Sequence, residues 1–234
     1  MEITELNFRY KRVVRDLVEL DLDIPVVVIG AGFMDGFLES YHDTFGFSDY
    51  GRSERPKNDF LYEVRRNGNL IVQGKSGAGL GDVRLGVKKP IITSSGLNLS
   101  LKGDIDIPVG NATKGFGNGS ADAGVSILFD KSITDNTMTY WNFCGVFPGD
   151  VKGHETLDIK DYIYGGAAIE SHISEKLSLL VQAMGHTPIY PKTGISAVDR
   201  DAWLLAIGGR YHAGKGSLDL SLTEDLNTAG APDF

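Results

Sequence analysis

Apolar and polar residues alternate along most of this chain with a period of two, the pattern of strands that present one apolar and one polar face. Leu6, Phe8 and Tyr10 alternate with Asn7, Arg9 and Lys11. Val18, Leu20, Leu22 and Ile24 alternate with Glu19, Asp21 and Asp23. The clearest run sets Leu97, Leu99, Leu101, Ile105 and Ile107 against Asn98, Ser100, Lys102, Asp104 and Asp106. Similar runs surround Leu85, Val125, Phe143, Ala167, Val181, Leu205 and Leu220. The pattern predicts about ten strands, most near the ~9–11 residues that cross a bilayer when tilted. No comparable stretch keeps a helical period of 3.6, which argues against a helix-rich fold.

The connections between these runs alternate between short and long. Short ones fall near residues 13–16, 92–96, 131–136, 174–176 and 213–216, and long ones near 30–79, 109–119, 148–160 and 188–200. In an up-and-down meander this gathers the short turns at one end and the long loops at the other. Membrane barrels show that asymmetry, and a soluble sandwich has no physical reason to sort its loops. The fold class expected is therefore all-β, an antiparallel up-and-down transmembrane β-barrel, with residues 1–234 as one domain. The first strand runs into a short turn and the last runs away from one. A barrel with both termini on the short-turn side needs one more strand at each end, so the expectation is about twelve strands, with this chain truncated at both ends. Residues 30–79 are read as a long extracellular loop. Within it, Phe37, Tyr41 and Phe45 predict a short helix over Asp35–Phe45, and Asn67-Gly68 predicts a hairpin turn within 60–73.

Composition narrows the class. The chain has 234 residues, is 41% hydrophobic and 23% charged, and carries a net charge of -8. That is neither disordered nor a helical membrane protein, and the acidic balance argues against nucleic acid as a partner. No stretch approaches the ~20 apolar residues of a membrane helix. No signal peptide is visible in this chain, because Glu2-Ile3-Thr4-Glu5 is acidic and strand-like. Cys144 is the one cysteine, which leaves no intramolecular disulfide; it reads as a small apolar strand residue.

Alternation alone does not say which face is outside. In a membrane barrel the charged face lines a wet lumen, and in a soluble barrel it is the solvated surface. The spanning length of the apolar faces, the loop asymmetry and the aromatics near strand ends (Tyr10, Trp141, Phe147, Trp203 and Tyr211) favour the membrane. On that reading Arg84, Lys102, Asp104, Asp106, Glu170, Gln182, His186 and Arg210 line the lumen and are candidates for selectivity.

Gly32-Phe33-Met34-Asp35-Gly36-Phe37, followed by His42-Asp43 and Phe45-Gly46, resembles the signature of a bacterial outer-membrane family called domain of unknown function 3187. Gly79-Leu80-Gly81-Asp82-Val83, Ser120-Ala121-Asp122, His186-Thr187-Pro188 and Glu224-Asp225 through Ala231-Pro232-Asp233-Phe234 fit in the same order. The resemblance covers nearly the whole chain. It implies an outer-membrane barrel and brings no catalytic residue with it.

Other constellations weigh less than their structural readings. Val26–Gly32 followed by Gly36 mimics a dinucleotide fingerprint, but its spacing is Gly-x-Gly-x-x-x-Gly and no βα units follow. Asp35, Glu39, His42 and Asp43 share a helix face suited to a divalent cation or an acid–base pair; a polar loop helix is the simpler account. No Ser–His spacing suggests a nucleophile, so no enzymatic activity, metal or cofactor is expected. The expectation is a passive channel or small-solute barrel of the outer membrane. Its expected partners are outer-membrane lipid, small solutes and the barrel-assembly machinery. A structural or adhesive envelope protein, an outer-membrane enzyme and a soluble lipid-binding barrel are the alternatives.

Overall fold

The computed structural model describes residues 1–46, 54, 56–214 and 216–227. In chain order the strands are β1 (Glu2–Val14), β2 (Val18–Gly30), β3 (Glu63–Arg66), β4 (Asn69–Gln73), β5 (Gly77–Leu80), β6 (Val83–Ser94), β7 (Leu97–Ile107), β8 (Asp122–Thr134), β9 (Thr137–Phe147), β10 (Val151–Lys152), β11 (Thr156–Leu157), β12 (Tyr162–His172), β13 (Leu177–His186), β14 (Ala202–Ala213) and β15 (Gly216–Asp225). One helix, α1 (Asp35–Phe45), follows β2, and a short 3-10 turn occupies Ala112–Lys114.

The fold is all-β. Ten long strands form one antiparallel sheet in the order β1-β2-β6-β7-β8-β9-β12-β13-β14-β15, with β5 added beside the upper half of β2. Each long strand neighbours the next long strand along the chain, which is the topology of a meander. The turn from β1 to β2 uses Arg15 and Asp16 at φ 52° and 56°, a left-handed pair that matches the twist of a tight hairpin. The β3–β4 hairpin turns at Asn67-Gly68, with φ 52° and 85°. Pro25 lacks an N–H to give the ladder, and the partner strand breaks there. β5 ends, Gly81 N donates to the Pro25 carbonyl at 2.9 Å, and β6 resumes below. A side chain at Gly81 would sit 2.9 Å from the Pro25 ring, so only glycine passes this jog.

The register keeps the two faces in phase across the sheet. Arg9 lies opposite Asp23, Asp23 opposite Arg84, Arg84 opposite Asp106, and Asp106 opposite Asp122. The sheet curls strongly, since residues from β1 through β13 line one common cavity on its charged side. It does not close by hydrogen bonding. Among the described residues β1 pairs with β2 alone and β15 with β14 alone, so the sheet keeps two edges.

Burial is inverted relative to a water-soluble sheet. Leu101, Ile105, Val125, Ile127, Phe143, Val181, Ile207 and Leu220 are exposed, the last at 77%. On the charged face the carboxylates are covered, with the Asp21 and Asp104 side chains 12% and 16% exposed, while Arg9, Lys11 and Arg84 extend outward from them. The tightest apolar packing lies in the loops. Ile71 and Val72 of β4 pack with Leu157 of β11, and Tyr62, Val64, Val151, Ile159 and Tyr190 surround them. The long connections thus form a folded cap at one end of the sheet.

Candidate functional site

The charged face of the curled sheet encloses a cavity of about 570 Å³. One wall, from β1, β2, β6 and β7, is built of opposite charges that strand register sets side by side. Arg84 donates two hydrogen bonds to Asp106, at 2.7 and 2.8 Å. Lys102 Nζ lies 2.7 Å from Asp104 and 3.4 Å from Asp21. Lys88 reaches Glu19 at 2.8 Å, and Lys11 sits 3.8 and 3.7 Å from Glu19 and Asp21. These pairs cancel most of the wall's net charge while leaving strong local fields.

The facing wall, from β8, β9, β12 and β13, is mostly neutral and partly aromatic, with Ser126, Asn142, Cys144, Tyr162, Tyr164 and His186, and carries one carboxylate, Asp122, at its loop end. Asn142 Nδ2 donates to the Tyr164 hydroxyl at 3.0 Å, and its Oδ1 is buried without a hydrogen-bond partner among the described residues. His186 Nδ1 donates to the Thr187 carbonyl at 2.9 Å, which fixes the tautomer. Its ring meets that of Tyr162 edge-on at 6.0 Å. Tyr162 on β12 lines the same cavity as Arg84 on β6 and Asp106 on β7, four and three strands away along the sheet. The two walls therefore face each other across the cavity.

Of the lumen residues expected from sequence, Arg84, Lys102, Asp104, Asp106 and His186 line this one cavity. Gln182 lines an adjoining recess beside Tyr140, Asn142 and Met184. Glu170 and Arg210 form a separate cluster toward the short turns. Arg210 donates to Asp219 at 2.8 and 3.0 Å and to Glu170 at 3.4 Å, and Tyr140 donates to Glu170 at 3.0 Å. Glu170 is 5% exposed, so the cluster ties β9, β12, β14 and β15 together. The sequence reading missed the neutral wall. Tyr162 stands opposite Val146, Tyr164 opposite Cys144 and Gly166 opposite Asn142, a signal available only once pairing is known. It also missed Ser178 Oγ, 2.8 Å from His172 Nδ1 across the β12–β13 turn. Ser178 is fully buried, which closes its hydroxyl to substrate.

The loop-motif residues are held by local contacts. Asp35 accepts the Asn58 amide N–H at 2.6 Å, Glu39 pairs with Lys57, and the His42 carbonyl accepts the Gly46 N–H that ends α1. Asp43 also lies on α1. Among the described residues no three His, Cys, Asp or Glu side chains are grouped to hold a metal ion. The glycine run before α1 does hold an anion, and it is the chain's own. Glu2 accepts the N–H groups of Phe33 and Met34 at 2.6 and 2.5 Å, as the amides at a helix start favour.

At the loop end, Asp82 and Asp122 fasten the cap over the cavity. Asp82 accepts the Gly110 and Asn118 N–H groups at 2.9 and 3.0 Å. Asp122 accepts from Asn118 Nδ2 at 2.7 and 2.9 Å and from Gly149 N at 2.7 Å. Ser120 Oγ donates to the Asp150 carbonyl at 2.6 Å.

A family model described as protein of unknown function (DUF3187) matches residues 1–234, the whole chain. The chain belongs to this family. Among curated proteins none matches it. In this DUF3187 chain the segments that carry the resemblance serve the loop end. Gly79–Val83 supplies Asp82, Ser120–Asp122 supplies Ser120 and Asp122, and Gly32–Phe37 supplies the seat for Glu2. In His186-Thr187-Pro188, Thr187 Oγ1 accepts the Ile163 N–H at 3.1 Å beside the cavity-lining His186.

Proposed function

We propose that this chain builds an outer-membrane β-barrel whose charged interior passes or binds small polar solutes. The observation that carries this reading is the inversion of polarity. Large aliphatic and aromatic side chains cover the exposed face of ten strands, while the opposite face carries paired charges whose carboxylates are covered. In water that arrangement would expose far more contiguous apolar surface than a soluble monomer tolerates. Against lipid it is the expected one. The same observation speaks against a soluble lipid-binding barrel, whose apolar face would line the cavity. Strand lengths of 10–13 residues suit a tilted crossing. A barrel of this kind requires lipid and the barrel-assembly machinery as partners. The cavity, with a self-neutralised charged wall opposite tyrosines, suits small polar solutes.

The test uses the protein purified from the outer-membrane fraction. Unboiled samples should migrate differently from boiled ones on a denaturing gel. Reconstituted in a planar bilayer, the protein should carry ionic current. A freely soluble band with no heat-dependent shift would overturn the membrane reading, and an intact barrel without conductance would leave solute binding in place of passage.

A further inference from the structure

Helix α1 repeats the inverted polarity of the sheet on a smaller scale. Phe37, Tyr41 and Phe45 recur every four residues, which sets them on one side of the helix. Their rings form a ladder, with centroids 6.5 Å apart for Phe37 and Tyr41 and 4.8 Å apart for Tyr41 and Phe45. Phe33, just ahead of the helix, is 82% exposed, and Phe37 and Phe45 are 57% and 63% exposed. Asp35, Glu39 and Asp43 fall on the opposite side. There Asp35 accepts the Asn58 N–H at 2.6 Å, and Glu39 pairs with Lys57. Ser40 and Thr44 border the aromatic side, and both give their protons to the helix's own backbone. Ser40 Oγ donates to the Gly36 carbonyl at 2.9 Å, and Thr44 Oγ1 donates to the Ser40 carbonyl at 2.7 Å. Such back-bonding satisfies a hydroxyl without water.

The attachment of α1 places it on one side of the rim. Glu2 accepts the Phe33 and Met34 N–H groups that lead into the helix. Along β1, Glu2 alternates in phase with Leu6, Phe8 and Tyr10, and it stands opposite Gly30 as Leu6 stands opposite Val26. It therefore belongs to the exposed apolar face, not the charged one. A Cβ at Gly32 would lie 2.0 Å from the Glu2 carboxyl carbon, so the attachment is close-fitting.

We propose that α1 is an interfacial anchor, whose aromatic side lies in lipid at the boundary between headgroups and acyl chains. This inference rests on the membrane reading and adds to it a second contact with lipid, separate from the strands. Three observations choose the occupant. The helix starts on the same side of the sheet as the outward residues of β1, so its aromatics continue that face. Its acids lie on the other side, two of them bonded to the following loop, so the aromatic side brings no formal charge into the leaflet. Its size also fits. Phe37 to Phe45 rises ~12 Å, far too short to cross ~30 Å of hydrocarbon, but suited to a helix whose apolar face sinks ~5–10 Å into the boundary. A second copy of the chain is disfavoured. Three aromatic side chains of ~150–250 Å² each, partly covered already, offer roughly half of the ~800 Å² that a stable protein interface buries on each partner.

The test is quenching of a single tryptophan by brominated lipid. Trp141→Phe and Trp203→Phe remove the native indoles, and Phe37→Trp places a reporter on the aromatic side, with Phe33→Trp as a second, independent one. Each variant is folded into phosphatidylcholine vesicles carrying bromine either close to the headgroup or close to the chain end. Ile127→Trp, on the outward face near the middle of β8, serves as the strand control. Emission from both α1 reporters should be blue-shifted and lost mainly to the shallow bromines, and emission from the Ile127→Trp control mainly to the deep ones. If the strand control is quenched while both α1 reporters keep their full emission, α1 meets water or protein, and the proposal is overturned with the membrane reading intact. If α1 reporters are quenched chiefly by the deep bromines, the helix is not at the boundary, which also overturns it. Full emission from every reporter, the strand control included, would overturn the membrane reading and the proposal together.

Discussion

Asp82 offers the sharpest local test of how the cap is held. Its two carboxylate oxygens accept the Gly110 and Asn118 N–H groups at 2.9 and 3.0 Å, and these are the bonds that fold residues 109–119 inward. Asp82→Ala removes both acceptors and leaves two partly buried amides to find water. Hydrogen bonds to a charged group contribute about 1.5–3 kcal/mol each. Partial exposure and non-additivity reduce the pair to roughly 2–4 kcal/mol. The loss falls on local opening of the loop, because the sheet register lies outside it. Lys114, in the 3-10 turn of that loop, is the reporter. When opening is fast relative to cleavage, proteolysis tracks the population of the open form. A change of ~2 kcal/mol then raises tryptic cleavage after Lys114 by about 30-fold. Cleavage after Lys176, in a turn at the opposite end, should stay unchanged. Equal cleavage after Lys114 in variant and parent would refute the role given to Asp82.

Asp104→Asn combined with Asp106→Asn leaves Lys102 and Arg84 without their closest acids, so the reversal potential in a salt gradient should move toward anion preference; an unmoved potential would remove these residues from any selectivity role. Gly110→Ala would place a Cβ 1.5 Å from the Phe116 carbonyl oxygen, so it should open the same loop as Asp82→Ala, read again by cleavage after Lys114. Asp199 accepts the N–H and hydroxyl of Thr193 and the N–H of Gly194, which hold its carboxyl below the ordinary value of 3.8. A depressed folded pKa contributes stability above the unfolded value that is lost as pH falls through the folded one. The Thr193 and Gly194 amide shifts should therefore titrate together with a midpoint below 3.8, and Asp199→Asn should abolish that titration.

The strands were legible because alternation is a local property. Leu97–Ile107 shows its two faces without knowledge of any partner, and the same runs form the ten-stranded meander. The Asp35–Phe45 helix and the Asn67-Gly68 turn are local in the same sense. The cap was not legible. Ile71, Leu157, Tyr62 and Tyr190 come from separate loops with no shared period, and only their packing reveals a core. β5 was hidden because Gly77–Leu80 is short and glycine-rich, and pairs only because Pro25 interrupts its neighbour. In the cavity, the charged wall could be named from polarity alone. The facing wall depends on register, which brings Tyr164 beside Cys144 and Gly166 beside Asn142. Ser178 and His172 likewise meet only because the turn between them is tight.

One substitution separates the two solvents that the outer face could meet. Ile127 lies near the middle of β8, and Ile133 lies near its turn end; they are 48% and 57% exposed. If water surrounds this face, arginine at either position changes stability by no more than about 0.5 kcal/mol, as for ordinary surface sites. If hydrocarbon surrounds it, the cost depends on depth. Ile127→Arg, near the midplane, should destabilise by roughly 2–4 kcal/mol, and Ile133→Arg, near the interface, by about 0–1 kcal/mol. Urea titration of the protein folded into lipid vesicles, followed by its gel mobility, measures both. Solvent exposure of the two sites is nearly equal, so exposure alone cannot produce the difference. Equal and small effects would mean that this face is wet, and the polarity inversion would then need another explanation. A large effect at Ile127 with a small one at Ile133 would tie the exposed apolar face to a bilayer of finite thickness.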